Sequence, residues 1–366
     1  MRKLIEDIMN ERRSDASILP LKVILRLLET GYSSVIAIRN LFYDKNIFKR
    51  KGVPCRVVSI GNITVGGTGK TPVVIMTARM LLDAGLTVAV VSRGYGGRSR
   101  KPVVVSDGTD VLASPPEAGD EPLIIAQALP NTPVVIGKDR YKAALLAYER
   151  FKPEVIVLDD AMQHRRLMRT VDVVTLDAAS PFGNGHLLPR GILRESPQAL
   201  SRADAVIVTR FHDKLRRDAI ERMIQNYDRR IPVFWSKHIP VCLRTPGSTD
   251  TLELTAISGK KIAALSNIAN PESFFRMLES LVGEIVLKHA VPDHHRYTNE
   301  ELKQNENKAC SAGAEMIVMT AKDEQNLPEK RFEGIIKKYV LDIEAKLIGD
   351  IKAYIKIISQ SGMNQK

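Results

Sequence analysis

The 366-residue chain changes its hydrophobic rhythm near residue 50. Between residues 18 and 48 apolar side chains recur at helical spacing, among them Leu21, Ile24, Leu25, Leu28, Tyr32, Val35, Ile36 and Phe42, with Lys22, Arg26 and Arg39 between them. That pattern predicts an amphipathic helix. From residue 53 onward short apolar runs alternate with helical stretches. Runs at 55–60, 86–92, 103–105, 134–136, 155–158, 171–176, 205–209 and 232–235 predict strands, and 73–84, 118–129 and 138–150 predict helices. Such alternation implies a mostly parallel sheet with flanking helices, whose ligands bind beyond the carboxyl ends of the strands.

After Trp235 turn-forming residues accumulate at Pro240, Pro246, Gly247 and Ser248, and residues 239–259 read as a linker region. A second alternation follows, with strands at 261–265, 285–290 and 316–319 and helices at 271–282 and 299–312. The expected organisation is an N-terminal amphipathic segment (1–50), a larger α/β domain (51–238), the linker (239–259) and a smaller α/β domain (260–366).

The first strand of the larger domain runs into Gly61-Asn62-Ile63-Thr64-Val65-Gly66-Gly67-Thr68-Gly69-Lys70-Thr71-Pro72, and a helix follows. Strand, glycine-rich turn, Gly-Lys-Thr and helix form the setting of a phosphate-binding loop. Thr64, Val65, Gly66, Gly67, Thr68 and Gly69 supply backbone N–H groups for phosphate oxygens. Lys70 reaches the β- and γ-phosphates, and the Thr71 hydroxyl reaches a magnesium ion. Thr64 stands where the usual Gly-x4-Gly-Lys-Ser/Thr pattern has its first glycine. A glycine-rich turn that merely joins strand to helix is the alternative. Four apolar residues followed by Asp159-Asp160 at the same sheet edge supply the metal-binding acid of such a site, although one aspartate can also simply cap a strand. The fold class is therefore a phosphate-loop NTPase-like α/β sheet with a second, smaller α/β domain.

Composition narrows the partners. Apolar content of 44% and charged content of 26% are those of a folded globular protein. The net charge of +12 calls for an anionic partner: nucleic acid, a membrane surface or a phosphorylated substrate. No basic patch interleaved with aromatics is present, so nucleic acid ranks last. Cys55, Cys242 and Cys310 are too scattered for a metal site and fit a reducing compartment. The longest uncharged stretch of the N-terminal segment, residues 30–38, is far short of the roughly 18 to 20 residues of a membrane-spanning helix. No signal-peptide cleavage pattern follows it. The stripe, with the Lys49-Arg50-Lys51 cluster after it, is suited either to the interface of an anionic leaflet or to packing on the protein's own core.

The motifs together resemble one family. The run from Val58 to Pro72, Ser92-Arg93-Gly94-Tyr95-Gly96-Gly97, Gly119-Asp120-Glu121-Pro122 and Asp159-Asp160-Ala161-Met162-Gln163-His164 are similar, in order, to the blocks of the tetraacyldisaccharide 4'-kinases of lipid A synthesis. The resemblance continues through Leu187-Leu188-Pro189-Arg190-Gly191-Ile192-Leu193-Arg194-Glu195, Asn270-Pro271-Glu272-Ser273-Phe274-Phe275, Asp293-His294-His295-Arg296-Tyr297-Thr298 and Thr320-Ala321-Lys322-Asp323. It implies transfer of the ATP γ-phosphate to the 4'-hydroxyl of a tetraacylated glucosamine disaccharide 1-phosphate. The reaction would take place at the cytoplasmic face of the bacterial inner membrane, with the N-terminal helix as a peripheral anchor.

The resemblance also implies roles. Asp120 is the catalytic base and His294 its partner, while Lys70 and Arg194 neutralise charge on the transferring group. Thr71, Asp159, Asp160, Gln163 and Glu195 surround Mg2+. Arg140 either touches phosphate or lipid head group or is a solvated helix start. Bare of the resemblance, Asp120 reads equally as a helix N-cap and His294 as a loop histidine. Departures from the family pattern are Met162 for phenylalanine, Ser266-Asn267-Ile268 where a glycine is usual before the isoleucine, and Ala321 for glutamate. Two other classes share part of the pattern, a membrane-associated phosphate-loop switch ATPase and a kinase of a small soluble sugar.

Overall fold

The computed structural model describes residues 7–9, 18–97, 99, 101–328 and 334–359. The strands are β1 (Arg56–Gly61), β2 (Val88–Ser92), β3 (Val103–Ser106), β4 (Val134–Ile136), β5 (Val155–Asp159), β6 (Val171–Asp177), β7 (Ala205–Thr209), β8 (Val233–Arg244), β9 (Thr251–Leu252), β10 (Lys261–Ser266), β11 (Glu284–Ala290), β12 (Met316–Thr320) and β13 (Lys337–Ile348). They form a single 13-stranded sheet in the order β11-β10-β12-β13-β8-β7-β6-β1-β5-β2-β4-β3, with β9 on β8. Pairing is parallel within the run from β8 to β4 and within the run from β13 to β11. It is antiparallel where β13 meets β8, where β3 caps one edge, and where β9 joins. β1 and β5 sit at the middle of the larger half, every residue of β5 buried. Both therefore read as continuous apolar runs, as a doubly covered parallel sheet requires.

Helices cover both faces. Lys70–Asp83 and Asp120–Ala128 pack on one face of the larger half and Arg140–Phe151 on the other. Pro271–Glu279 and Asn299–Ser311 do the same for the smaller half. Local capping explains several boundaries. Asp139 accepts from Tyr141 and Lys142, so the helix expected from residue 138 begins at Arg140. Thr298 and Glu301 form a reciprocal capping box at the start of Asn299–Ser311.

The joint between the halves departs from the sequence expectation. Residues 239–259, expected as a linker, hold the end of β8, β9 and a single-turn helix at Leu254–Ile257. β8 runs on for 12 residues and is zipped to the 12 residues of β13. Nor do residues 337–359 stay with the smaller half. Ala345, Leu347, Tyr354 and Ile358 join the core under the Lys70–Asp83 helix, where the Tyr354 and Thr77 hydroxyls lie 2.7 Å apart. Pro240 is tolerated in β8 because the ladder slips by one residue at Ile343, which faces it.

The N-terminal helix, Leu19–Asp44, packs inside out. Its polar residues bond to the body of the protein, Tyr32 to the Arg194 carbonyl, Asn40 to Glu195 and Asp44 to Arg165. Leu19, Val23, Ile24, Leu27, Leu28, Val35, Ile38 and Leu41 face outward, Leu27 at 69% exposure. The stripe read from the sequence is split between the two expectations: Ile24, Leu28 and Val35 face outward, while Leu25 is buried against Ile18 and Leu21, and Tyr32, Ile36 and Phe42 are half-buried. Among the described residues no helix is long and apolar enough to cross a membrane.

Candidate active site

β1 ends at Gly61 and the chain turns through residues 62–69 into the Lys70–Asp83 helix. Glycine is required at 61, because a Cβ there would stand 2.6 Å from that of Met162. Gly69 takes φ +73°, and the His238 ring lies directly beneath it. Thr64 can replace glycine because its backbone is extended, bridging Leu193 in antiparallel fashion. The loop is braced from below. Asn62 Nδ2 donates to Thr68 Oγ1 at 3.2 Å, Thr209 Oγ1 donates to the Thr68 carbonyl at 2.7 Å, and Arg210 bridges the Gly67 carbonyl and Asp177. Val65, Gly66 and Gly67 remain open to solvent at least in part.

Charged groups converge at the start of the following helix. Lys70 Nζ lies 3.6 Å from Asp160 Oδ1, and Arg194 Nη1 donates to both Asp160 oxygens at 3.0 Å. Gln163 accepts from Arg194 at 3.4 Å and donates to the Asn62 carbonyl at 2.8 Å. Thr71, the second residue of the helix, is half-buried. Burial raises the Asp160 carboxyl, but Lys70 and Arg194 outweigh it and the net shift is downward. Asp159 behaves oppositely. Burial, then the Asp160 charge, push it up to about 6, and its Oδ1 is buried without a hydrogen-bond partner among the described residues. Ser92 holds the other oxygen at 2.9 Å.

An orphaned, electrostatically strained carboxylate oxygen suits a hard divalent cation. Among the described residues no group of three or more His, Cys, Asp or Glu could hold a metal alone. Magnesium bound with a nucleotide does not need one, since phosphates and water complete its shell. Asp159, Asp160, Gln163 and Thr71 therefore fit a magnesium–nucleotide site. The buried Glu195 carboxylate accepts at Oε2 from Asn40 at 3.0 Å and Arg202 at 2.7 Å beneath the N-terminal helix, while its Oε1 is buried without a hydrogen-bond partner among the described residues. Arg140 is only 3% exposed and donates to the Asp160 carbonyl at 3.0 Å. Its solvated-helix-start reading is excluded, and burial lowers its pKa to about 10.

A second cluster joins the halves of the sheet. Asp120, first residue of its helix, receives His294 Nδ1 at 2.9 Å and Asn326 Nδ2 at 3.0 Å. Burial raises the Asp120 carboxyl, but the bonds from His294 and Asn326 outweigh it and keep it low. His294 holds φ +62°, an uncommon conformation for a non-glycine residue, and its ring lies 5.0 Å from that of Tyr95. The Asp120 bond raises the His294 pKa. Lys322 Nζ lies 3.3 Å from His294 Nε2, 3.2 Å from Glu121 and 2.7 Å from Asp293. A donor at Nε2 leaves the imidazole proton on Nδ1, pointing at Asp120.

The two clusters are neighbours. The Glu121 charge adds to the upward pressure on Asp159, and a Cβ at Gly67 would stand 3.2 Å from that of Ala269 in the smaller half. Matches to known proteins bear on the family. A family model described as tetraacyldisaccharide-1-P 4'-kinase matches residues 21–361. The chain belongs to the tetraacyldisaccharide 4'-kinase family. It is 45% identical over 324 residues to the tetraacyldisaccharide 4'-kinase of Syntrophus aciditrophicus (strain SB), covering 86% of each chain. It is 41% identical over 301 residues to that of Anaeromyxobacter dehalogenans (strain 2CP-C), covering 82% of this chain and 79% of the relative. Among solved structures, LpxK from Aquifex aeolicus, crystallised in complex with ATP, superposes with a TM-score of 0.70 at 30% identity, covering 94% of this chain and 98% of that one.

Family membership, with its kinase chemistry, directs attention to residues that sequence reasoning passed over. Lys322, Glu121, Asp293, Asn326 and Tyr95 surround the Asp120–His294 pair. All but Asn326 lie in the motif blocks, and Tyr95 and Lys322 follow the carboxyl ends of β2 and β12. Position at that sheet edge was the available signal.

Proposed function

We propose that this protein transfers the γ-phosphoryl group of ATP to the 4'-hydroxyl of a tetraacylated glucosamine disaccharide 1-phosphate at the cytoplasmic face of the bacterial inner membrane. The observation that carries the reading is the 2.9 Å contact between Asp120 and His294 beside a phosphate loop. A sugar hydroxyl needs a proton acceptor as it attacks, and a phosphoryl group needs its charge neutralised. Asp120, held ionised by His294 and Asn326, accepts the proton at Oδ2 or its neighbouring oxygen. His294 orients that carboxylate and stabilises the charge before transfer.

Residues 66–71 hold the triphosphate, because the Val65 N–H expected to face phosphate is taken by the Ile192 carbonyl and Thr64 is buried against Leu193; Lys70 lies along the β- and γ-phosphates, and Arg194 faces the transferring group. Magnesium, held through Thr71, Asp159, Asp160 and Gln163, would neutralise charge on the phosphate oxygens. Glu195 acts in this reading through Arg202 and the N-terminal helix rather than through the metal. His294 stands on the smaller half and Asp120 on the larger, and the β8–β13 pairing holds the two in contact at 2.9 Å. The outward apolar row and the net charge of +12 support a seat on an anionic bilayer surface.

The test uses purified protein, magnesium and γ-labelled ATP, with and without tetraacyldisaccharide 1-phosphate in detergent micelles, beside Asp120→Ala. Label on the lipid that is lost in the variant and on chelation of magnesium is the expected result. ATP hydrolysis indifferent to the lipid and to Asp120 would identify a switch ATPase instead.

A further inference from the structure

One segment, residues 186–195, is sandwiched between the N-terminal helix and the phosphate loop. On the helix side, Tyr32 Oη donates to the Arg194 carbonyl at 2.9 Å, and Asn40 Nδ2 donates to Glu195 at 3.0 Å. About three turns before Asn40, Glu29 accepts from the Leu187 N–H at 2.9 Å and lies 3.2 Å from His186 Nδ1. On the loop side, Val65 N–H donates to the Ile192 carbonyl and Arg194 N–H to the Ile63 carbonyl, each at 2.7 Å. Arg194 thus has its carbonyl tied to the helix, its N–H to the phosphate loop and its guanidinium to Asp160.

We infer that Tyr32 and Asn40 are positioning residues for phosphoryl transfer, and that the N-terminal helix sets the place of Arg194 as well as docking the protein. This rests on the reading above in which Arg194 faces the transferring group. The polar side of the helix serves the site while the apolar side faces outward, so a bilayer that holds the helix also holds Arg194. Burial raises the Tyr32 pKa, so its hydroxyl stays a donor across the working range. Loss of that donor lets the Arg194 main chain move relative to Asp160. A displacement of about 1 Å at such a group can cost ~100-fold in rate.

Four proteins test this: wild type, Tyr32→Phe, Arg194→Ala and the double variant, with Asn40→Ala as a second probe of the same segment. Tyr32→Phe keeps the ring and the apolar row. Its kcat should fall roughly 5- to 20-fold. Its KM for lipid, its sedimentation with phosphatidylethanolamine–phosphatidylglycerol vesicles and its melting temperature should match wild type. In the Arg194→Ala background the same change should cost nothing further in kcat. Wild-type kcat in Tyr32→Phe, a parallel loss of vesicle binding, or a full multiplicative loss in the double variant would overturn the inference. ATP affinity measured in the same four proteins keeps the question separate from the acceptor. If wild type transfers nothing to the lipid, the substrate reading fails, while non-additive ATP affinities still support the coupling and additive ones refute it.

Discussion

His294 Nδ1 lies 2.9 Å from Asp120 Oδ2 although 174 residues separate them in the chain. Each residue sits on a different half of the sheet, so the contact exists only when β13 and β8 hold the halves together. If Asp120 accepts the sugar proton, Asp120→Asn should lower kcat by about 100- to 10,000-fold. ATP affinity, read by equilibrium binding, should change less than threefold.

Lys322 gives the pair a pH signature. Its charge lowers both the Asp120 and the His294 pKa values. Lys322→Met therefore raises the Asp120 pKa, and the base becomes protonated at a higher pH than in wild type. The acid limb of the kcat/KM profile should move upward, and a limb that stays in place would show that Lys322 does not act on the base.

His238 should govern part of the acid stability. Burial first, then the Arg210 and His212 charges, lower its pKa from 6.5 to about 3. Its folded pKa lies below its unfolded value, so its stabilising contribution is present above about pH 6.5 and is lost as pH falls toward 3. Between pH 6.5 and 5 that loss is at most ~2 kcal/mol. In His238→Gln the melting temperature should fall less steeply over this interval than in wild type.

The outward row of the N-terminal helix should bind membrane without supporting the fold. Leu27 and Val35 are 69% and 65% exposed. Replacing both with aspartate should weaken vesicle binding by at least ~10-fold, since each apolar side chain transferred is worth ~1.5–3 kcal/mol. The melting temperature should move by no more than about 2 °C.

Tyr354 tests the return of the C-terminal helix to the larger half. It is fully buried and shares a 2.7 Å hydroxyl contact with Thr77. Tyr354→Ala should destabilise by ~3–5 kcal/mol through cavity formation, and Tyr354→Phe by ~1 kcal/mol. Chemical denaturation distinguishes these from a loosely attached tail, for which both values would be near zero.

By itself the sequence determined what depends on neighbours in the chain. The phosphate loop, the aspartates at the end of β5 and the alternation of strand and helix were legible, because period, turn residues and glycine demands act within a few residues. The 155–158 run became a strand buried on both faces, and Gly61 and Gly69 stand where a side chain is forbidden. Only the tertiary structure decided which residues meet. One oxygen of Glu195, a metal-group residue by family resemblance, meets Asn40 and Arg202 from elements 155 residues earlier and 7 residues later. Lys322 looked ordinary until the β11-β10-β12 order brought it to His294 and the β13–β8 pairing brought both to Glu121 and Asp120. The amphipathic stripe was plain in the sequence, but its direction was not. A stripe records only that one face differs from the other, and the polar partners waiting on the body of the protein at Arg194, Glu195 and Arg165 turned the apolar face outward.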